Sequence, residues 1–271
     1  MKRALISTFS KALPGLTASF AYRQLTNPQV KKLRKRESLV LNKAKKDQLH
    51  FKGFDIQCYE WGEGHKTVLL IHGWEGQAGN FADLVEKLLE DQYKVYAFDG
   101  PSHGHSSRGK TSLFEFTELV AVMIRKFKVK TLVSHSFGGV ATSYALSANP
   151  ELRIDKYLLL TTPDRFSERI DDVSKTLGIT DEVKERLINR LEEETGQRVA
   201  DLNVSDFVKQ VHVKQALIIH DKNDKVIPIE RAINVYKNWP AAGFSTLEGT
   251  GHFRILRDPA VLNMALKFLA N

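Results

Sequence analysis

"VSHSFGGVAT", Val133–Thr142, is the stretch on which the reading of this chain turns. An apolar run of strand type, "KTLVSHS" (130–136), passes directly into a helical pattern, Phe137 to Ala148, with no loop residues between them. The residue at the junction, Ser136, must therefore sit on a sharp strand-to-helix turn. Gly138 and Gly139 follow it and permit close approach of helix and strand. Two positions before it stands Ser134, where glycine is usual in such a turn; serine is among the smallest replacements.

Outward from this turn, further short apolar runs appear: "KTVLLIH" (66–72), "YKVYAFD" (93–99), "KYLLLT" (156–161), "QALIIHD" (215–221) and "GFSTLE" (243–248). Their β-branched and aromatic content suits strands buried on both faces. "LHFKGFDIQCYEWGEG" reads as two more strands with a turn near Gly53. Helical patterns at 80–90, 113–127, 137–148 and 259–269 alternate with the strands. The fold class expected is α/β, a mostly parallel doubly wound sheet flanked by helices. One connection, Pro163 to His212, is far too long for an ordinary αβ loop and carries the charged helical stretch "TDEVKERLINRLEEETG". The expected organisation is a core of residues 49–162 and 213–271, a small helical lid at 163–212, and a basic helical N-terminal extension at 1–48.

The ends of the runs are His72, Asp99, Ser136, Thr161, Asp221 and Glu248, and in such sheets functional groups gather at the carboxyl edge. A serine hydroxyl needs a base to take its proton and a third group to orient that base. "HDKNDKVIP" offers Asp224 in the loop after one strand, with Asp221 as the competing carboxylate, and "GTGHFRIL" offers His252 after the last strand. The order Ser, Asp, His is that of a triad on this kind of sheet.

On these motifs the chain resembles an α/β-hydrolase over about residues 50–271. The resemblance implies Ser136 as nucleophile, His252 as general base and acid, and Asp224 as the orienting carboxylate, preferred to Asp221 for its place in "DKVIP". It implies an oxyanion hole from the backbone N–H groups of Phe137 and of Trp74 in "VLLIHGW". It further implies cleavage of carboxylic esters or thioesters of small to medium apolar acyl groups through an acyl-serine intermediate. A serine at the turn argues against the relatives that use aspartate to open epoxides or remove halide. Leu177, Ile179, Leu187, Ile188 and Leu191 stand where a lid could cover an acyl site. A lipid-directed hydrolase at the membrane surface and a non-catalytic binding protein on the same fold remain alternatives.

Composition narrows the rest. The single cysteine, Cys58, excludes an intramolecular disulfide, and no Cys/His spacing suits zinc. His103 and His105 in "DGPSHGHS" lack the further ligands of a metal site, and His72, His135 and His220 read as structural histidines. No cofactor or metal is expected; the expected partner is a small-molecule ester. Residues 1–50 hold 12 Lys/Arg and 2 Asp/Glu, so the net charge of +8 resides in the extension. "VKKLRKRESLVLNKAKK" reads as a solvated basic face on helices packed against the core, the alternative being peripheral contact with an anionic membrane through residues 1–48. Aromatics are not interleaved with this charge, so nucleic acid is not expected as a partner. Lys11 and Pro14 interrupt what a signal peptide would keep apolar, and no run suits a membrane span. A cytoplasmic location is expected, and the oligomeric state is left open.

Overall fold

Lys52 and Gly53 both have positive φ, 47° and 81°, as a two-residue hairpin turn demands if its twist is to match the strands. They join β1 (Lys45–Phe51) to β2 (Phe54–Trp61) in antiparallel register, Phe51 opposite Phe54. In the computed structural model, which describes residues 2–29 and 33–270, β1 starts inside the stretch expected to be helical extension. Its lysines read as a basic helix face, but Lys45 and Lys46 lie on an exposed edge strand opposite Glu60 and Tyr59, where charge discourages pairing with another chain.

The sheet continues with β3 (Lys66–Ile71), β4 (Tyr93–Phe98), β5 (Thr131–His135), β6 (Arg153–Leu160), β7 (His212–Asp221) and β8 (Ala242–Leu247). The order is β1-β2-β4-β3-β5-β6-β7-β8. β2 pairs antiparallel with β1 and β4, and all other pairs are parallel. From β3 the chain moves outward to β4, then returns past β3 to β5. The loops leaving β3 and β5 therefore diverge, and a crevice opens at their carboxyl ends.

Each face of the sheet has its own core. On one face α3 (Lys35–Asn42), α4 (Ala82–Glu90) and α12 (Pro259–Ala270) bury Val40, Leu84, Leu88 and Val261 against Val68, Leu70, Val95 and Val133. On the other, α5 (Leu113–Phe127), α6 (Phe137–Ala148), α9 (Val204–Phe207) and α10 (Ile229–Lys237) close over Leu69, Ile71, Leu132 and Ile218. α5 starts where Ser112 and Glu115 exchange side-chain and backbone hydrogen bonds, at 3.4 and 3.0 Å, a capping box written in the sequence as S-x-x-E. The short α11 (Gly251–Arg254) follows β8.

The insert after β6 consists of α7 (Phe166–Leu177), α8 (Asp181–Thr195), a 3₁₀ turn at Val199–Asp201 and α9. The extension forms α1 (Lys2–Ala12) and α2 (Pro14–Thr26), with Pro14 at the first position of α2, where its missing N–H costs nothing. Ala21 and Tyr22 of α2 share a small third core with Ile170, Leu187, Leu191 and Val199. Extension and insert thus pack on each other. Val30, Lys31 and Lys32 of the basic stretch, and the side chain of Leu5, lie outside the described residues. Among the described residues no helix is long and apolar enough to cross a membrane.

Candidate active site

Ser136 has φ 54° and ψ −124°, a conformation that L-residues adopt only when the surroundings hold it. Its N–H donates to Leu160 O at 3.0 Å, and its carbonyl accepts from Gly139 N–H at 2.8 Å. A Cβ at Gly138 would lie 2.5 Å from the carbonyl oxygens of both Ile71 and His72, so only glycine lets α6 start against the end of β3. Ser134 is fully buried, and its hydroxyl lies 2.9 Å from that of Tyr157, which reaches Gly139 O at 3.3 Å. The serine found in place of the usual glycine thus links the end of β5 to the first turn of α6.

His252, on α11, places Nε2 3.1 Å from Ser136 Oγ and Nδ1 2.9 Å from Asp224 Oδ2. The other Asp224 oxygen accepts from the N–H groups of Val226 and Ile227 at 2.7 and 3.0 Å. Burial opposes ionisation of Asp224, but its hydrogen bond and attraction to His252, with those two amides, hold its pKa below the usual carboxylate range. Ser136, Asp224 and His252 are therefore brought together. Asp221 is not part of the group. Its Oδ2 accepts from Thr250 N, Thr250 Oγ1 and Gly251 N at 2.5, 2.8 and 2.9 Å, and its Oδ1 from Asn223 N at 2.7 Å. That carboxylate fastens the loop that carries His252.

The neighbouring histidines are occupied by the frame. His220 Nε2–H donates to Ile227 O at 2.9 Å. His72 donates from Nδ1 to Gly73 O at 2.7 Å and accepts the Gly100 N–H on Nε2 at 2.8 Å. His135 donates from Nε2 to the carbonyl of His252 at 2.9 Å, and burial, with the nearby His252, pushes its pKa down to about 3. His103 donates to Pro101 O at 2.8 Å and packs its ring 5.1 Å from that of Trp74; burial and His72 push it down to about 3 as well. His105 turns to Asp99, which also accepts from Ala78 N and Tyr59 OH at 2.7 and 2.9 Å. His103 and His105 thus serve different partners, and among the described residues no three His, Cys, Asp or Glu are grouped to hold a metal ion.

Phe137 is the first residue of α6, so its N–H has no acceptor within the helix. Trp74 is the second residue of a turn closed by Gly76 N–H to Gly73 O at 2.9 Å, with Glu75 at φ 56°, and that turn does not use the Trp74 N–H. The two rings lie 5.2 Å apart. Both residues line a cavity of about 410 Å³ together with Ser136 and His252.

Phe114, Val140, Phe166 and Leu202 make apolar walls of this cavity. Of the five insert residues expected over the site, Leu191 alone lines it; Leu187 is buried in the third core and Leu177, Ile179 and Ile188 pack around that core. The apolar stripe of α8 is consumed by α2 and α7, which a reading of α8 by itself could not show. Arg231 ties insert to core by a fork on Asp172, at 2.8 and 3.2 Å, and a contact with Glu168 at 3.1 Å. Tyr22, Leu25 and Thr26 of α2 also line the cavity. The sequence marked the extension as helical, but no local pattern assigned these three residues to the cavity. Lys110 pairs with Glu194 at 2.7 Å, and the Tyr22 hydroxyl donates to the same carboxylate.

A family profile described as alpha/beta hydrolase fold matches residues 66–199. A serine hydrolase-like protein of Danio rerio is 25% identical over 181 residues, 60% of this chain and 55% of that protein. A pimeloyl-[acyl-carrier protein] methyl ester esterase of Stenotrophomonas maltophilia (strain K279a) is 34% identical over 86 residues, 32% of each chain. This chain thus spans about half the length of the first relative and a third of the second. The structure of Est1E from Butyrivibrio proteoclasticus, solved with ferulic acid bound, superposes with a TM-score of 0.64 at 20% identity, covering 83% of this chain and 100% of that one. Sheet order, strand-to-helix turn and matched profile agree: the chain has the α/β-hydrolase fold.

Proposed function

We propose that this protein is a serine hydrolase of carboxylic esters or thioesters, working through an acyl-serine intermediate. The observation that carries the reading is the unbroken relay from Ser136 Oγ through His252 to Asp224, at 3.1 and 2.9 Å, opening on the cavity. In the proposed reaction His252 Nε2 takes the hydroxyl proton as Ser136 Oγ bonds to the acyl carbon, and the carbonyl electron pair moves to oxygen. That oxygen is held by the N–H groups of Trp74 and Phe137, donors fixed in place before the charge develops. Collapse expels the alcohol or thiol, which takes the proton from His252. Water then repeats the sequence on the acyl-enzyme. Asp224 stays ionised and holds the imidazole with its proton on Nδ1.

The walls formed by Phe114, Val140, Phe166, Leu191 and Leu202 favour an apolar acyl group of small to medium size. The esterase among the relatives supports ester hydrolysis in general. The test is hydrolysis of a panel of acyl esters and thioesters of graded chain length by the wild type and by Ser136→Ala. The expected result is turnover by the wild type and none above background by the variant; equal turnover by both overturns the reading.

A further inference from the structure

Eight large apolar side chains are exposed among the described residues, and half of them lie on the two N-terminal helices or at the junction between them: Phe9, Leu13, Leu16 and Phe20. Phe9 lies near the end of α1, Leu13 occupies the non-helical junction between the helices, at φ −138° and ψ 63°, and Leu16 and Phe20 stand one turn apart on α2. Exposure is 55%, 45%, 68% and 44% respectively. The rest of α2 is committed elsewhere: Ala21 and Tyr22 are buried in the third core, and Tyr22, Leu25 and Thr26 line the cavity. The outer face is thus an apolar stripe that the fold leaves uncovered.

The charge around that stripe selects its occupant. Nine Lys/Arg and no Asp or Glu precede Glu37 in the sequence. Lys11 and Arg23, beside the stripe, are both exposed. We propose that α1 and α2 dock on an anionic lipid bilayer, Phe9, Leu13, Leu16 and Phe20 entering the interfacial region while Lys11 and Arg23 meet lipid phosphates. An apolar face with a basic border and low overall hydrophobicity is the pattern of a helix lying in the plane of a membrane interface. A second copy of the chain is a poorer occupant, since it would set two acid-free basic segments against each other. A polynucleotide would satisfy the charge and leave the stripe exposed. Two further exposed apolar residues, Val226 and Phe253, line the same cavity as α2, so docking through α2 sets a wall of the cavity against the lipid.

The test is co-flotation of full-length Ser136→Ala protein with vesicles of phosphatidylcholine alone or mixed with phosphatidylglycerol. Hydrolysis plays no part in it, so its outcome is independent of the proposed reaction. Binding is expected on the mixed vesicles, weaker on neutral ones and weakened by salt. In the same background, Leu16→Ser with Phe20→Ser, and separately Lys11→Gln with Arg23→Gln, should each lower partitioning about tenfold. These side chains are exposed, so unchanged thermal unfolding is expected to accompany the loss. Absence of binding to the mixed vesicles, or equal binding by the variants, overturns the proposal. A concentration-dependent dimer abolished by Leu16→Ser with Phe20→Ser also overturns it, in favour of a second copy.

Discussion

The Nε2–H of His135 donates to the main-chain carbonyl of His252 across 2.9 Å. His135 immediately precedes Ser136, so this bond ties the strand-to-helix turn to the loop that carries the imidazole. The two rings stand 4.9 Å apart, and His135 is held neutral by burial, so it supplies a donor and adds no charge. We regard it as a positioning residue. Substitution His135→Leu removes the donor and is expected to lower kcat roughly a hundredfold with KM little changed, as displacement of a reacting group by about 1 Å does. His135→Gln, whose amide nitrogen can reach the same carbonyl, should recover part of the loss. A purely steric role would give no difference between the two variants.

The two aspartates of "HDKNDKVIP" should separate by what they damage. Asp224→Asn removes the acceptor that fixes the His252 tautomer, and kcat should fall about 10⁴-fold, a loss far larger than any accompanying change in stability explains. Asp221→Asn leaves the relay intact and weakens the fastening of Thr250 and Gly251, at a stability cost of about 1–3 kcal/mol. Steady-state kinetics beside denaturant unfolding distinguish them. The reverse pattern would reassign the acid.

Ser134→Gly should leave kcat within about threefold of wild type, because the hydroxyl reaches Tyr157 and not the relay. The lost hydrogen bond should cost about 1 kcal/mol, read as a lower denaturant midpoint.

Much of this site was legible in advance because its signals are local. Ser136, Phe137, Asp224 and His252 each follow directly on a strand or its loop, and the chain meets them in the order the sheet imposes. Most strand and helix limits were equally plain, since a short apolar run or a helical stripe is contained in its own segment. α10 was missed although "IERAINVYK" carries Ile229, Ala232, Ile233 and Tyr236 at i, i+3, i+4 and i+7; its nine residues are short for a helical pattern and follow directly on the loop that holds Asp224. The joint packing of α2 on α8, and the roles of His135 and Asp221, depend on contacts between segments far apart in sequence. No local pattern records them.

Acid should destabilise the fold earlier than carboxylates alone would. His103 and His135 have folded pKa values pushed down to about 3, against about 6.5 in an unfolded chain. Below 6.5 the unfolded state binds protons that the native state refuses, so stability falls as pH falls from about 6.5 towards 3. Each histidine contributes about 1.4 kcal/mol of that loss per pH unit. Asp221 and Asp224, with lowered pKa values, add their loss only below the ordinary carboxylate range. Denaturant midpoints measured from pH 8 to 4 should decline from about 6.5; a flat profile down to pH 5 would contradict this.

The central claim is that Ser136 carries the acyl group. A fluorophosphonate probe followed by peptide mass mapping tests it most directly, because Ser134 and Ser136 lie in one short segment and fragment ions separate them. One adduct per chain, on Ser136, is the expected result, with none on the Ser136→Ala protein. An adduct on Ser134, or a folded wild type that takes no label, would contradict the account.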